Sequence, residues 1–408
     1  MGGTTVPSRF FSRDIIVDRA SNIIAHETSM VEFSMDGWEH AYLPSLSELA
    51  AVTTVFSRIP MFVMESSDGV SSARASDFVA LVHRQDAFTA ELVDKFVTSN
   101  VRYCLVDPDP TRLADVSMAK ASYVKVNIKK ITVKRLGALR TYLTKLMPNA
   151  LIIIDGVETT EERDACFANE VHAVQGTWMT DERRVVHSTS IESSVRPLMQ
   201  MIASLQGDFD VNVLGRIVKS DVSLGVKLLK FANSVGIGQG NVVSSYTHAM
   251  QMIGSEKLYR WASMQLIGMS RDRRTALVKL AVTRGHVAEA LATRIGMGDD
   301  DVSRAFIAAS FSLLPFILDV NIHSLSRELH LHPDITQAML GGNSKITPLV
   351  NIARAMEGNS FNEMMVFGES NGVEPTTLNQ INLRSLLMTE NAIAEFDVQR
   401  DRLDPEFQ

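Results

Sequence analysis

Short apolar runs punctuate the first half of the chain, with polar stretches of helix length between most of them. The runs are Met61–Met64 (MFVM), Phe78–Val82 (FVALV), Tyr103–Val106 (YCLV), Tyr123–Val126 (YVKV), Leu151–Ile154 (LIII) and Val171–Val174 (VHAV). Strand-like runs alternating with helical stretches such as Val133–Lys145 and Thr160–Asn169 predict βαβ units and a parallel sheet. The residues that follow the runs are all polar: Glu65, His83, Asp107, Asn127, Asp155 and Gln175. In a parallel barrel these positions share the C-terminal rim, where that fold keeps its chemistry. Strands that simply end in polar loops give the same pattern.

The pattern changes around Asp181–Val195. The stretch TDERRVVHSTSIESSVRP is polar, rich in Ser and Thr, and ends at Pro197, as a linker does. Beyond it the period becomes helical. Leu214, Ile217 and Val218 share one face, as do Leu224, Leu228, Phe231 and Ala232. LVKLAVTRGHVAEALATRIG reads as a long amphipathic helix stopped by Gly296. Ala305–Val320 is nearly all apolar and belongs in the middle of a helical bundle, with a kink at Pro315. The expected division is a barrel domain over residues 1–190, a helical domain over 195–360, and a C-terminal helical extension and acidic tail over 361–408.

Composition narrows the function classes. A chain of 408 residues exceeds one ordinary core. Its net charge of -7 and pI near 5.8 give no general attraction for nucleic acid or an anionic membrane. Cys104 and Cys166 are the two cysteines, so no disulfide framework is possible, and both read as small core residues. The N-terminus lacks a signal-peptide stretch, and Val6 breaks the myristoylation pattern after Met1-Gly2. No run approaches the roughly 18 apolar residues that span a membrane. The expected location is the cytoplasm.

Several stretches carry candidate chemistry. Asp155 ends a buried run and is followed by Gly156, Val157 and a second acid, Glu158, just before a Thr-rich helix start. KVNIKKITVKR gathers Lys125, Lys129, Lys130, Lys134 and Arg135, a run that attracts a nucleotide or an acidic partner, or more commonly lines a solvated helix face. His330, His332 and Asp334 in HLHPD have ligand spacing, but a turn before Pro333 accounts for them better. His286 reads as a helix-face residue. GIGQGN (Gly236–Asn241) follows a helix, so it reads as a turn and not a phosphate loop. Trp178 and Trp261 read as core. Trp38 suits an exposed contact or a loop anchor equally.

Two family resemblances converge on these residues. DGVETTEERDACF…HAVQGTWMT resembles EGVET…QGY of the EAL domains that hydrolyse cyclic di-GMP, and IIAHETSM places Glu27 at the glutamate of the EAL motif. IVKSDVSLGVKLLKFANSVGIG…AMQMIGSEKLYRW resembles the HDOD domain through Ser220-Asp221, Leu228-Leu229, Asn233-Ser234, Ile253-Gly254, Leu258 and Arg260-Trp261. The order, with FSLLPFILDV in the second part, resembles YuxH-type EAL–HDOD signalling proteins over most of residues 10–350. The resemblance implies a TIM-like (β/α) EAL-type barrel followed by an all-helical, HD-like HDOD domain. It implies a cyclic di-GMP and metal site built from Glu27, Asp107, Lys125, Asp155, Glu158 and Gln175.

The site departs from that pattern. Hydrolysis by the EAL route needs divalent metal, Mg or Mn, held by several oxygen ligands. The family's strand-end asparagine falls on or near Met64, and a glutamate falls near Val82 or His83. The paired aspartates become Asp107 and Pro108, the acid two residues past Lys125 becomes Asn127, and Glu shortens to Asp155. The phosphate-gripping arginine becomes Val31, and an isopropyl group cannot replace a bidentate guanidinium. No His-Asp pair of the HD enzymes occurs. The expectation is a non-catalytic scaffold without cofactor. It would contact regulatory proteins of a bacterial signalling pathway, with self-association allowed, chiefly through the helical half around Ala305–Val320. The alternatives are a receptor that binds cyclic di-GMP without cleaving it and a weak residual phosphodiesterase.

Overall fold

Five of the six apolar runs lie on strands of one nine-stranded sheet in the computed structural model, and the sixth, Val171–Val174, enters its strand at Ala173. The structure describes residues 8–34, 37–40, 61–64, 78–83, 96, 98, 101–108, 120–180, 192–207, 209–234, 243–269, 275–358 and 360–401. Glu65, GIGQGN, most of the linker stretch, the N-terminal residues 1–7 and the tail beyond residue 401 lie outside the described residues, as do the side chains of Trp38, Met64, Val82 and His83. The chain divides into two units: residues 1–181, 273–279 and 352–408, and residues 182–272 and 280–351.

The strands are β1 (Ser8–Asp18), β2 (Ile23–Ser34), β3 (Gly37–His40), β4 (Met61–Met64), β5 (Phe78–His83), β6 (Arg102–Val106), β7 (Tyr123–Asn127), β8 (Leu151–Asp155) and β9 (Ala173–Gln175). Pairing from β2 through β4, β5, β6, β7 and β8 to β9 is parallel throughout. β1 pairs antiparallel with both β9 and β2, which joins the two ends of the ladder. β3 adds an antiparallel edge to the far end of β2. The expected all-parallel sheet is therefore a mixed one, and the first three strands lie outside the six runs. The reason is the short link from Asp18 to Ile23, which can join only antiparallel neighbours. Asp18 fixes it, accepting from the Asn22 backbone N–H at 2.8 Å and from its side-chain amide at 3.1 Å, while Ser21 takes φ 62°. A helix follows its strand, as a (β/α) repeat requires, after β7 (α1, Leu136–Leu146) and after β8 (α2, Thr160–Ala168) among the described residues.

Period-2 alternation builds the interior of this sheet. Ile16, Ala25, Val79, Leu81, Cys104, Val106, Tyr123, Ile153 and Ala173 form one buried apolar cluster drawn from seven strands. The other face of the central strands is buried too, through Leu105, Val124, Val126, Ile152, Ile154 and Val174. Burial on both faces is why these strands read as unbroken apolar runs. Both cysteines are core residues, as expected.

Residues 361–401, set apart above as an extension, belong to the first unit as α14 (Phe361–Asn371) and α15 (Pro375–Asp401). β1 extends past β9, so its backbone there needs other partners. Asn379 supplies them, accepting from Phe11 N–H at 2.9 Å and donating to Arg9 C=O at 3.0 Å, and Arg13 N–H donates to Met356 C=O at 3.2 Å.

The second unit is helical: α3 (Arg196–Leu205), α4 (Val211–Ser220), α5 (Val222–Ser234), α6 (Tyr246–Ile253), α7 (Ser255–Ile267), α8 (Thr275–Arg294) from Leu280 onward, α9 (Asp299–Phe311), α10 (Leu314–Leu318), α11 (Ile322–Glu328), α12 (Pro333–Met339) and the start of α13 (Thr347–Ala355). Leu214, Val218, Leu224, Leu228 and Ala232 are buried, as their periodicity predicts. Gly296, at φ 77°, follows the end of α8. Pro315 does more than kink: α9 ends at Phe311 and α10 restarts with the proline in its first turn. Ala305–Leu314 is buried throughout, so this run is core and not the partner surface it was expected to be. No described helix is long and apolar enough to cross a membrane.

Candidate functional site

The interior alternation of the barrel sheet carries upward from apolar to polar. Two residues beyond Ala25, Tyr123, Ile153 and Ala173 stand Glu27, Lys125, Asp155 and Gln175, all on the same face of their strands. β1 runs the opposite way, so the matching residue lies two before Ile16 and is Asp14, cross-strand partner of Glu27. Four of the six expected site residues thus meet at one end of the sheet, with one residue that was not foreseen.

Lys125 is the hub and is only 3% exposed. Its ammonium lies 2.5 Å from Glu27 Oε2 and 3.9 Å from Asp155 Oδ2, and donates to Gln175 Oε1 at 3.5 Å. Gln175 turns its amide NH2 to Asp14 Oδ2 at 3.1 Å. Burial works against the charge on Lys125, but Glu27 and then Asp155 outweigh it and hold the amine above the ordinary lysine value. Burial pushes Asp155 above the usual carboxylate range despite Lys125. Burial also pushes Asp14 up to about 6, against the bonds from Gln175 and the Ile15 N–H, and Glu27 and Asp155 add to the rise. Burial is the main cause of the rise at Asp14 and Asp155, and the neighbouring carboxylates add to it. The basic run expected on a solvated helix face therefore begins with a buried strand residue.

The other two expected site residues stand apart from this hub. Asp107, at φ 46° just past β6, accepts from Asn127 N–H at 2.9 Å and from Lys130 Nζ at 2.7 Å. Glu158 pairs with Lys129 at 2.5 Å, both largely in solvent. The loop that carries Asp155 and Glu158 is set by backbone. Asp155 Oδ1 accepts from Gly156 N–H at 2.6 Å, and Gly156 sits at φ 73°. Val157 N–H donates to Gln175 C=O, and a Cβ on Gly176 would come within 2.1 Å of Val157 O. Only glycine admits that approach. Thr159 and Glu162 then form a reciprocal cap on α2. Val31 is buried on β2 between Phe10 and His40, 4% exposed.

In the helical unit HLHPD is a turn. His332 caps α12, its Nδ1 accepting from Asp334 N–H at 3.2 Å, and His330 sits at φ 49°. His286 is buried against Phe306 and Glu289, not on an open helix face. The residues that carried the HDOD resemblance have structural work. Asp221 Oδ1 accepts from Leu224 N–H at 3.1 Å at the start of α5. Asn233 exchanges two hydrogen bonds with the Val243 backbone, at 2.8 and 3.0 Å. Gly254, at φ 81°, joins α6 to α7. Arg260 grips Glu289 through both carboxylate oxygens and lies 4.1 Å over the Phe306 ring.

Residues 190–312 match the model of the HDOD domain. The chain carries an HDOD domain there. It is similar to "Uncharacterized protein YuxH" of Bacillus subtilis (strain 168), 20% identical over 269 residues, which are 64% of this chain and 64% of that protein. It is similar also to "Cyclic di-GMP phosphodiesterase CdgJ" of Vibrio cholerae serotype O1, 26% identical over 153 residues, 37% of this chain and 35% of that one. The match thus spans less than two thirds of the length of either relative. Among solved structures, an EAL domain protein from Listeria monocytogenes EGD-e overlays with a TM-score of 0.33 at 13% identity, covering 42% of this chain and 87% of that one. A likeness of that size carries no argument.

The EAL resemblance implies a divalent cation, which takes several hard oxygen ligands. The donors described at the strand ends do not fit it as they stand. Glu27 and Asp155 share Lys125, Asp107 holds Lys130 and Asn127, and Glu158 holds Lys129. Among the described residues no three of His, Cys, Asp and Glu converge on a common point.

Proposed function

We propose that this is a cyclic di-GMP-linked signalling protein that does not hydrolyse the nucleotide and acts as a scaffold, through contacts with regulatory proteins. The observation that carries the reading is the thinned donor set at the barrel end: Asn127 stands where the resemblance puts an acid, and the acids that remain are held by lysines, Glu27 and Asp155 by Lys125, which the family pattern itself places there, Asp107 by Lys130 and Glu158 by Lys129. A hydrolytic site needs its acids available to ions that activate water and spread phosphate charge. The buried Val31, where the resemblance puts a phosphate-gripping arginine, supports it. The HDOD match and the name of the Vibrio relative support the link to signalling. HDOD residues that serve as caps, junctions and a matched ion pair suit a domain that works through its surface.

Calorimetric titration of the full-length protein with cyclic di-GMP tests the reading, followed by a turnover assay with magnesium or manganese. The scaffold reading expects neither heat of binding nor product. Saturable binding without product converts the assignment to a receptor. Product formation that stops in Asp155→Ala overturns it.

A further inference from the structure

We propose that the start of α8 and the C-terminal helix α15 form a bracket that sets the position of β1, and that through this bracket the chain controls where Asp14 stands at the barrel end. The inference goes beyond the scaffold reading and holds whether or not a nucleotide is bound or cleaved there. β1 has 11 residues, yet β9 pairs only with Ile16–Asp18. In a strand the backbone groups of every second residue face the same edge. Along the edge that β9 leaves uncovered, Asn379 accepts from the Phe11 N–H and donates to the Arg9 C=O. Asn382 donates to the Phe11 C=O at 3.5 Å and accepts from Arg13 Nε at 3.3 Å, and the Arg13 N–H goes to the Met356 C=O. The next N–H in that series, of Ile15, goes to Asp14 Oδ1 at 2.7 Å, and Asp14 Oδ2 accepts from Gln175. Asp14 is therefore the link at which the edge held by α15 passes into the cluster of Gln175 and Lys125.

The other end of β1 is held as well. Ser21 C=O, in the turn after the strand, accepts from the Ala276 N–H at 3.1 Å and from Thr275 Oγ1 at 3.0 Å, in the first turn of α8. Lys279, one turn further, donates to both carboxylate oxygens of Glu390 on α15 at 2.8 Å, which ties the two holders together. The buried face of α15 is partly polar, with Asn382, Ser385 and Thr389 beside Leu378 and Leu386. Amides and hydroxyls regain water when such a face lifts, so each bond adds little net hold. A contact of this kind opens at lower cost than the sheet itself. Both holders are also where the chain enters and leaves the helical unit, since Lys279 leads into Leu280 and Ile352 follows Asn351. A partner that acts on that stretch of chain thus has a covalent line to β1.

Amide hydrogen exchange of the full-length protein, followed segment by segment, tests this. Glu390→Lys sets like charge against Lys279. It is expected to speed exchange roughly tenfold from Phe11 to Ile15 and across β9 at Ala173–Gln175, and to leave β6 and β7 unchanged. The charge swap, Lys279→Glu with Glu390→Lys, should bring both segments back to within about twofold of wild type. A change confined to α15, or to Arg9 and Phe11 without Ile15 and Gln175, overturns the proposal and makes the contact a local one. An equal rise in β6 and β7 overturns it too, because that is general loosening of the sheet. A swap that keeps the fast rate shows that the pair is not the lock and has the same consequence. Should Glu390→Lys fail to fold, Glu390→Gln is measured and judged in the same way. No readout here involves cyclic di-GMP, so binding or turnover of the nucleotide overturns the scaffold reading and leaves this test unaffected.

Discussion

The two units treat buried charge in opposite ways. In the helical unit Arg260 grips Glu289 through both carboxylate oxygens and lies over the face of Phe306, with His286 Nδ1 3.4 Å from the same carboxylate. Burial works to raise the Glu289 carboxyl, but the bonds from His286 and Arg260 outweigh it and hold the group down at about 2. In the barrel unit one ammonium serves Glu27 and Asp155 and, through Gln175, Asp14, and two of the three acids are pushed up. A matched pair is a structural joint. A cluster of perturbed groups at the end of a sheet is where functional sites are most often found. Perturbed groups therefore mark the place where chemistry is possible, and their partners say whether it is available.

The comparison can be pressed by substitution. Phe306→Ala should be the costliest, about 3–5 kcal/mol in denaturant unfolding, because it opens a fully buried site and strips the ring from beneath Arg260 and beside His286. A loss below about 1 kcal/mol would show that the pair stands without its aromatic floor.

Glu289→Gln sharpens the same point at about 2 kcal/mol. Because the folded carboxyl lies below its ordinary value, its contribution is present above about 4.5 and disappears as pH falls toward about 2. Wild type and variant should converge across that window; curves that stay parallel there would mean that Arg260 does not depend on the charge.

Asp14→Asn should act with the opposite sign. The folded carboxyl is raised from 3.8 to about 6, so its favourable contribution is full below about 4 and is lost as pH rises through about 6. At pH 8 the variant should be the more stable by about 1–3 kcal/mol, and the gap should close by pH 4. Equal stability at both pH values would remove Asp14 from the cluster.

The smallest effect is expected from Asn379→Ala, about 1 kcal/mol, with faster amide exchange at Phe11. Unchanged exchange there would show that the end of β1 keeps its partners without that side chain.

What was legible in the sequence follows from the same contrast. LIII and YCLV announce strands because both their faces are buried, and the helical faces of Leu214 to Ala232 announce helices because one face is. β1 and β2 were not announced, since FFSRDIIVD and IIAHETSM interleave charge with apolar residues inside the site itself. Asp155 and Gln175 were marked as strand-end residues and Lys125 as part of a basic run, and the resemblance added Glu27 and joined the four in one site. Asp14 was missed because its place depends on β1 running antiparallel, which residue periodicity does not encode; the signal was the short Asx-fixed link after it. The basic run misled for a similar reason: Lys125 and Lys129 are four apart, yet the first is on a strand and the second is past its end. Ala305–Val320 was read both as bundle core and as a partner surface, and burial decides for the core.

The central claim is that the barrel end, with its donor set thinned, does no phosphodiester chemistry. Its most direct test is incubation of the full-length protein with cyclic di-GMP and millimolar magnesium or manganese, with the linear dinucleotide followed by chromatography. The account predicts no product above the protein-free control. Linear product that forms with wild type and is lost in both Glu27→Gln and Asp155→Ala would contradict it.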